Sequence, residues 1–228
     1  MADYLIELLA SLCAVAIVLT LHEFAHAFVA YKCGDPTPKW NGRLSLNPFR
    51  HFDLVGLLCF TFVGFGWAKP VSINPDNFRK YRLGMGLTAS AGIVMNYLAA
   101  LLVYPLYLVV RFYMPSVPFV ADLLEYFFYF VFAYSLSFFV FNLLPLNPLD
   151  GFRILDAFNK RRGRIFRFLR NYGQYILFGL ILESFVCQLL VRFGVPQMAM
   201  FNILGWFMRF ATDILGWPIT ALWGLIPW

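Results

Sequence analysis

The chain reads as an all-α polytopic membrane protein of about five to six transmembrane helices, with a re-entrant or extended segment between its first and third apolar runs. Three observations predict this class. Hydrophobic residues make up 61% of the 228 and charged residues only 13%, against roughly 45–50% and 25% in a soluble domain. Long apolar runs recur from one end to the other, matched to the ~20 residues that cross a bilayer. Trp206, Trp217, Trp223 and Trp228 stud the last run as an interfacial belt would. The length fits one integral membrane domain over 1–228, with a core at about 15–155 and C-terminal helices at 172–228.

The first span is expected at about 4–32, ended by Gly34 and the turn-rich Asp35-Pro36-Thr37-Pro38. Its flank Met-Ala-Asp-Tyr-Leu-Ile-Glu carries acids where a signal peptide carries bases, so it reads as a retained helix. The run at 54–68 is about fifteen residues with three glycines, too short to span, and is expected to be re-entrant. Lys69-Pro70-Val71-Ser72-Ile73-Asn74-Pro75 follows, held extended by its prolines. Further spans are expected at 84–112, with Pro105 as a kink, at 119–146, at 172–193 and at 198–226.

The net charge of +6 is concentrated in one place, since the stretch from Arg153 to Arg170 carries seven basic residues and one acid. Ile165, Phe166, Phe168 and Leu169 are interleaved with them, which favours an amphipathic segment on anionic lipid over a nucleic-acid patch. Lys and Arg cluster after the first span, before the third and after the fourth, so these positions are expected on the cytoplasmic side of a cell (inner) membrane. That assignment requires 54–68 to enter and leave on one side. The four cysteines show no paired spacing and read as reduced packing residues.

Chemistry concentrates in Leu21-His22-Glu23-Phe24-Ala25-His26, inside the first apolar helix. Residues four apart share a helix face about 6 Å along the axis, so His22 and His26 can hold one zinc ion while Glu23 serves as general base. Three ionisable groups at this depth are costly without a use. A third ligand must come from elsewhere, and Asp150 is the candidate, in Asn142-Leu143-Leu144-Pro145-Leu146-Asn147-Pro148-Leu149-Asp150-Gly151. Its two prolines break the helix, which a membrane tolerates where chain is buried in protein or lines a wet cavity. His51 lies in a polar loop, where histidines are usually solvated; a secondary or regulatory contact at the site is the other reading.

These features together resemble the site-2 protease family of intramembrane zinc metalloproteases. The resemblance rests on the HExxH at 22–26, Gly42-Arg43-Leu44-Ser45-Leu46-Asn47-Pro48 followed by His51 and Asp53, Gly66-Trp67-Ala68-Lys69-Pro70-Val71, and the Asn-x-x-Pro-x-x-x-x-Asp-Gly at 142–151. It implies one zinc ion per chain on His22, His26 and Asp150, Glu23 as base, and Asn142 near the metal to position the substrate or its oxyanion. The chain departs from the family at Ala91-Gly92-Ile93-Val94-Met95-Asn96, where proline often follows the glycine; Asn96 is expected to line the substrate site. No PDZ-like domain is seen.

The expected reaction is peptide hydrolysis in or near transmembrane segments of a membrane-protein substrate, with partners in the bilayer and no nucleic acid. A transmembrane helix must unwind to be cut, and the extended segment offers Val71 and Ile73 as an edge for strand addition. The alternative is a catalytically inactive membrane scaffold or a metal-handling transporter. Transport would favour internal repeats and charges in several spans, and a scaffold has no need of Glu23.

Overall fold

The computed structural model describes residues 2–53, 55–56, 59, 66, 68–114 and 118–226. Most of 54–68, and with it the re-entrant expectation, lies outside the described residues, as does Trp228. Seven α-helices are described here: α1 (Ala2–Cys33), α2 (Thr37–Trp40), α3 (Tyr81–Tyr113), α4 (Pro118–Leu143), α5 (Asp150–Phe158), α6 (Arg164–Arg192) and α7 (Ile203–Gly224). Asp3–Cys33, Tyr81–Tyr113, Phe119–Leu143 and Arg164–Arg192 are long and apolar enough to cross a bilayer. The protein is an all-α polytopic membrane protein.

α1, α3 and α4 pack on one another and form the centre of the bundle. Lipid is as apolar as leucine, so membrane helices associate through close backbone approach at small residues. The buried face of α1 supplies them, with Ala10, Ala14, Ala25, Ala27 and Ala30 beside Val15 and Val18. Ala14 and Val18 meet Val131 of α4. Across the bundle Ala100, Leu136 and Ile219 join α3, α4 and α7. Pro105 lies inside α3 and has no N–H for the carbonyl four residues back. That carbonyl, of Leu101, accepts the Trp223 indole N–H at 3.0 Å.

Several boundaries differ from those expected: the last helix begins at Ile203 rather than at 198, after a 3-10 helix at Pro196–Phe201, and α3 begins at Tyr81 rather than at 84. α4 stops at Leu143 instead of 146, because Pro145 restricts Leu144 before it and supplies no N–H of its own. The basic stretch is divided: α5 takes its first part, and Arg164, Arg167 and Arg170 form the opening turns of the long α6. Phe152 of α5 stacks on Phe166 of α6 at 5.4 Å between ring centroids. All four cysteines are free thiols.

The chain that leaves α1 at 34 returns by 79 to the helix end it left. Arg79 N–H donates to Cys33 C=O at 3.1 Å. The carboxylate of Asp35, fully buried, accepts from four donors of the chain that follows α1: Asn74 N–H (2.7 Å), Asn77 Nδ2 (2.9 Å), Thr37 Oγ1 (2.6 Å) and Thr37 N–H (3.0 Å). Burial alone would raise its pKa, but these hydrogen bonds favour the carboxylate and hold it below the ordinary value. The clasp fixes the extended segment 69–74 against the C-terminal end of α1. At the other end of that segment, Phe52 and Ala68 form an isolated antiparallel bridge and Lys69 N–H donates to His51 C=O at 2.9 Å.

Candidate metal centre

Three helices converge on one cluster of ligand atoms. α1 brings His22 and His26 on one face, α5 brings Asp150 as its first residue, and α3 packs against the imidazoles from the far side. His26 Nε2 lies 3.0 Å from His22 Nε2 and 3.0 Å from Asp150 Oδ2; His22 Nε2 lies 3.3 Å from the same oxygen. All three residues are buried.

The chemistry of this set fits zinc. Ligands 2.0–2.1 Å from a tetrahedral centre sit about 3.3–3.4 Å apart, close to the spacing found. His26 Nδ1 is 2.6 Å from the Thr88 carbonyl oxygen, which can only accept. The ring therefore donates from Nδ1, and in the neutral form Nε2 presents a lone pair to the cluster. Asp150 Oδ2 is a buried oxygen with no hydrogen-bond donor, an arrangement that a shared cation resolves.

Close packing makes the cluster possible. A Cβ added at Gly92 would fall on ring atoms of both His22 and His26, so glycine alone lets α3 approach. Thr88, Gly92 and Asn96 recur at four-residue spacing and are all buried, one stripe of α3 against the histidines.

A cavity of about 240 Å³ opens beside the cluster, lined by His22, Glu23, His26, Val71, Ile73 and Asn142 among others. Glu23 Oε2 accepts the Val71 N–H at 3.1 Å, which ties the proposed base to the extended segment. Asn142 donates from Nδ2 to the Phe138 carbonyl one turn back at 3.1 Å, leaving the second amide hydrogen for the cavity. Arg153, which sequence reasoning left among the surface bases, also lines this cavity, with Nη1 3.6 Å from Asp150 Oδ1. Its i, i+3 spacing from Asp150 on a helix was the signal available. A second cavity of about 200 Å³ shares His26, Val71, Ile73 and Arg153 and adds Met85, Thr88 and Ala89.

Two residues stand elsewhere than expected. His51 is fully buried rather than solvated, because its loop folds on itself: the ring Nε2 meets the Ser45 carbonyl at 2.7 Å, and Arg43 reaches across to the Arg50 carbonyl. It braces the start of the extended segment through Lys69 and is not among the residues that line either cavity. Asn96 is also fully buried and absent from both linings; its amide Nδ2 lies 3.1 Å from His22 Nδ1.

Fold and site together define a polytopic membrane protein with a buried His-His-Asp cluster able to hold a metal ion and a neighbouring glutamate. The model of peptidase family M50 matches residues 113–183, a range that holds Asn142 and Asp150 but not the histidines. A protein of Bacillus subtilis (strain 168) named "Putative zinc metalloprotease YwhC" is 44% identical over 138 residues, which is 60% of this chain and 63% of that one. The match thus spans less than two thirds of the relative's length. No solved structure matches. The resemblance to the site-2 protease family is borne out by the family and by the relative.

Proposed function

We propose that the protein is an intramembrane zinc metalloprotease, holding one zinc ion per chain on His22, His26 and Asp150 and cutting membrane proteins in or near their transmembrane segments. The observation that carries this reading is the juxtaposition of three ligand atoms 3.0–3.3 Å apart with Glu23 in the same cavity. Metal storage or scaffolding has no use for a carboxylate placed there.

When bound, zinc supplies the Lewis acidity that polarises a peptide carbonyl and acidifies water. Glu23 takes the proton of the attacking water and returns it to the leaving nitrogen. Asn142 offers its remaining amide hydrogen to the developing oxyanion. Arg153 adds positive charge at the same mouth.

Depth sets the substrate class. α1 ends at Cys33, seven residues beyond His26 and eleven beyond His22, which places the triad roughly 10–17 Å inside the helix. A transmembrane helix keeps its peptide groups in its own hydrogen bonds, so the substrate enters as an unwound strand. Val71 and Ile73 line the cavity on the extended segment, and strand addition along that segment positions the substrate. By the distribution of Lys and Arg, the site opens toward the cytoplasmic leaflet of the cell membrane.

Purified protein reconstituted in vesicles with a single-span test substrate is the direct assay. Zinc near one per chain and chelator-sensitive cleavage are the expected results. Zinc binding without cleavage of any membrane substrate would favour the scaffold instead.

A further inference from the structure

The geometry points to Asn96 as the residue that orients His22 for metal binding by accepting its Nδ1–H, a positioning residue rather than a substrate contact. The inference rests on the metal reading above and concerns what holds the first ligand in place.

Every ligating imidazole needs its second nitrogen committed, since that bond fixes the tautomer and the ring plane. His26 has this from the Thr88 carbonyl at 2.6 Å. At His22 Nδ1 the polar neighbour among the described residues is the Asn96 amide at 3.1 Å. Nδ2 faces the ring while the buried Oδ1 has no partner. If Nδ2 donated there, His22 Nδ1 would be the acceptor and the neutral ring would carry its proton on Nε2, the atom that meets Asp150 and His26. Such a ring cannot ligate. Half a turn of the amide exchanges oxygen and nitrogen without changing its shape. The oxygen then receives the Nδ1–H, and Nε2 is left with its lone pair directed at the triad.

Two residues of the buried stripe have complementary tasks. Gly92 lets α3 approach both rings, and the Asn96 amide, one turn further on, meets the Nδ1 of one of them and holds it once the oxygen is turned toward the ring. Asn96 has no exposed surface and lines neither cavity beside the triad, so a substrate cannot reach it.

The test compares full-length wild type with Asn96→Asp and Asn96→Leu. Zinc affinity is read by chelator competition, and ligand geometry by the visible spectrum of the cobalt-loaded protein. Ionised aspartate keeps the acceptor and cannot donate; leucine keeps the volume and offers neither. The expected result is wild-type affinity and spectrum for Asn96→Asp, and a loss of about 10–100-fold with an altered spectrum for Asn96→Leu. Rescue by aspartate alone separates orientation from packing, because a packing role would not distinguish acceptor from donor. Unchanged affinity and spectrum in Asn96→Leu would overturn the proposal, as would loss of metal in a folded Asn96→Asp. A wild-type protein that binds no zinc would instead overturn the metal reading itself.

Discussion

The Val71 N–H donates to the Glu23 carboxylate at 3.1 Å, so the base of the proposed reaction and the segment proposed to receive the substrate are joined by one hydrogen bond. Residues 48 positions apart are held in register by it. A base must be aimed as well as present, and Val71 aims this one. Val71→Pro removes that N–H and leaves the ligands untouched. Turnover should fall at least tenfold while zinc content, measured by elemental analysis, stays near one per chain. Equal turnover would mean that Glu23 needs no support from the segment.

Ligand and base roles separate by metal content. Glu23→Gln should retain zinc and lose hydrolysis, whereas His22→Ala, His26→Ala and Asp150→Ala should lose both, since three protein ligands are the minimum for a catalytic site with one open position. Asp150 is the informative member. A pure, folded Asp150→Ala protein that still carries zinc would remove it from the ligand set.

Gly92 yields a sharper steric prediction. A single methyl there overlaps both imidazoles, and helix α3 itself favours alanine over glycine by up to about 1 kcal/mol. Gly92→Ala should therefore leave helical content, measured by far-ultraviolet circular dichroism, intact while zinc binding is lost. Full zinc occupancy in this variant would show that α3 does not press on the histidines.

The Asp35 clasp has a pH signature. Its folded pKa is depressed below the ordinary value of about 3.9. Its contribution is thus complete above that value and is lost as pH falls through the lower folded pKa. Asp35→Asn imitates the acid form at neutral pH and should cost about 1.5–3 kcal/mol. Protease accessibility of 69–77 reports this, and the difference from wild type should close only in strong acid. A variant as protected as wild type at neutral pH would show that the charge is not what holds the segment.

What the sequence made legible was what is local. His22, Glu23 and His26 sit on one turn of helix, so spacing alone assembles them, and the prolines around Asp150 mark a break where a carboxylate can turn inward. Prolines also marked the extended segment that carries Val71 and Ile73. Contacts across the chain were not legible. The burial of His51 depends on a loop folding over Ser45, the clasp at Asp35 joins residues about 40 positions apart, and Asn96 meets His22 from another helix. The stripe Thr88, Gly92, Asn96 was the available trace: small and polar residues at helical spacing in a membrane segment mark a face packed on something.

Where the cuts fall tests the central claim most directly. Vesicles containing the protein and a single-span substrate are incubated with and without chelator, beside the Glu23→Gln variant, and the products are mapped by mass spectrometry. The account predicts zinc-dependent cuts inside the substrate's span, in its cytoplasmic third, and none with Glu23→Gln. Cuts confined to segments outside the bilayer, or cuts that persist in Glu23→Gln, would contradict it.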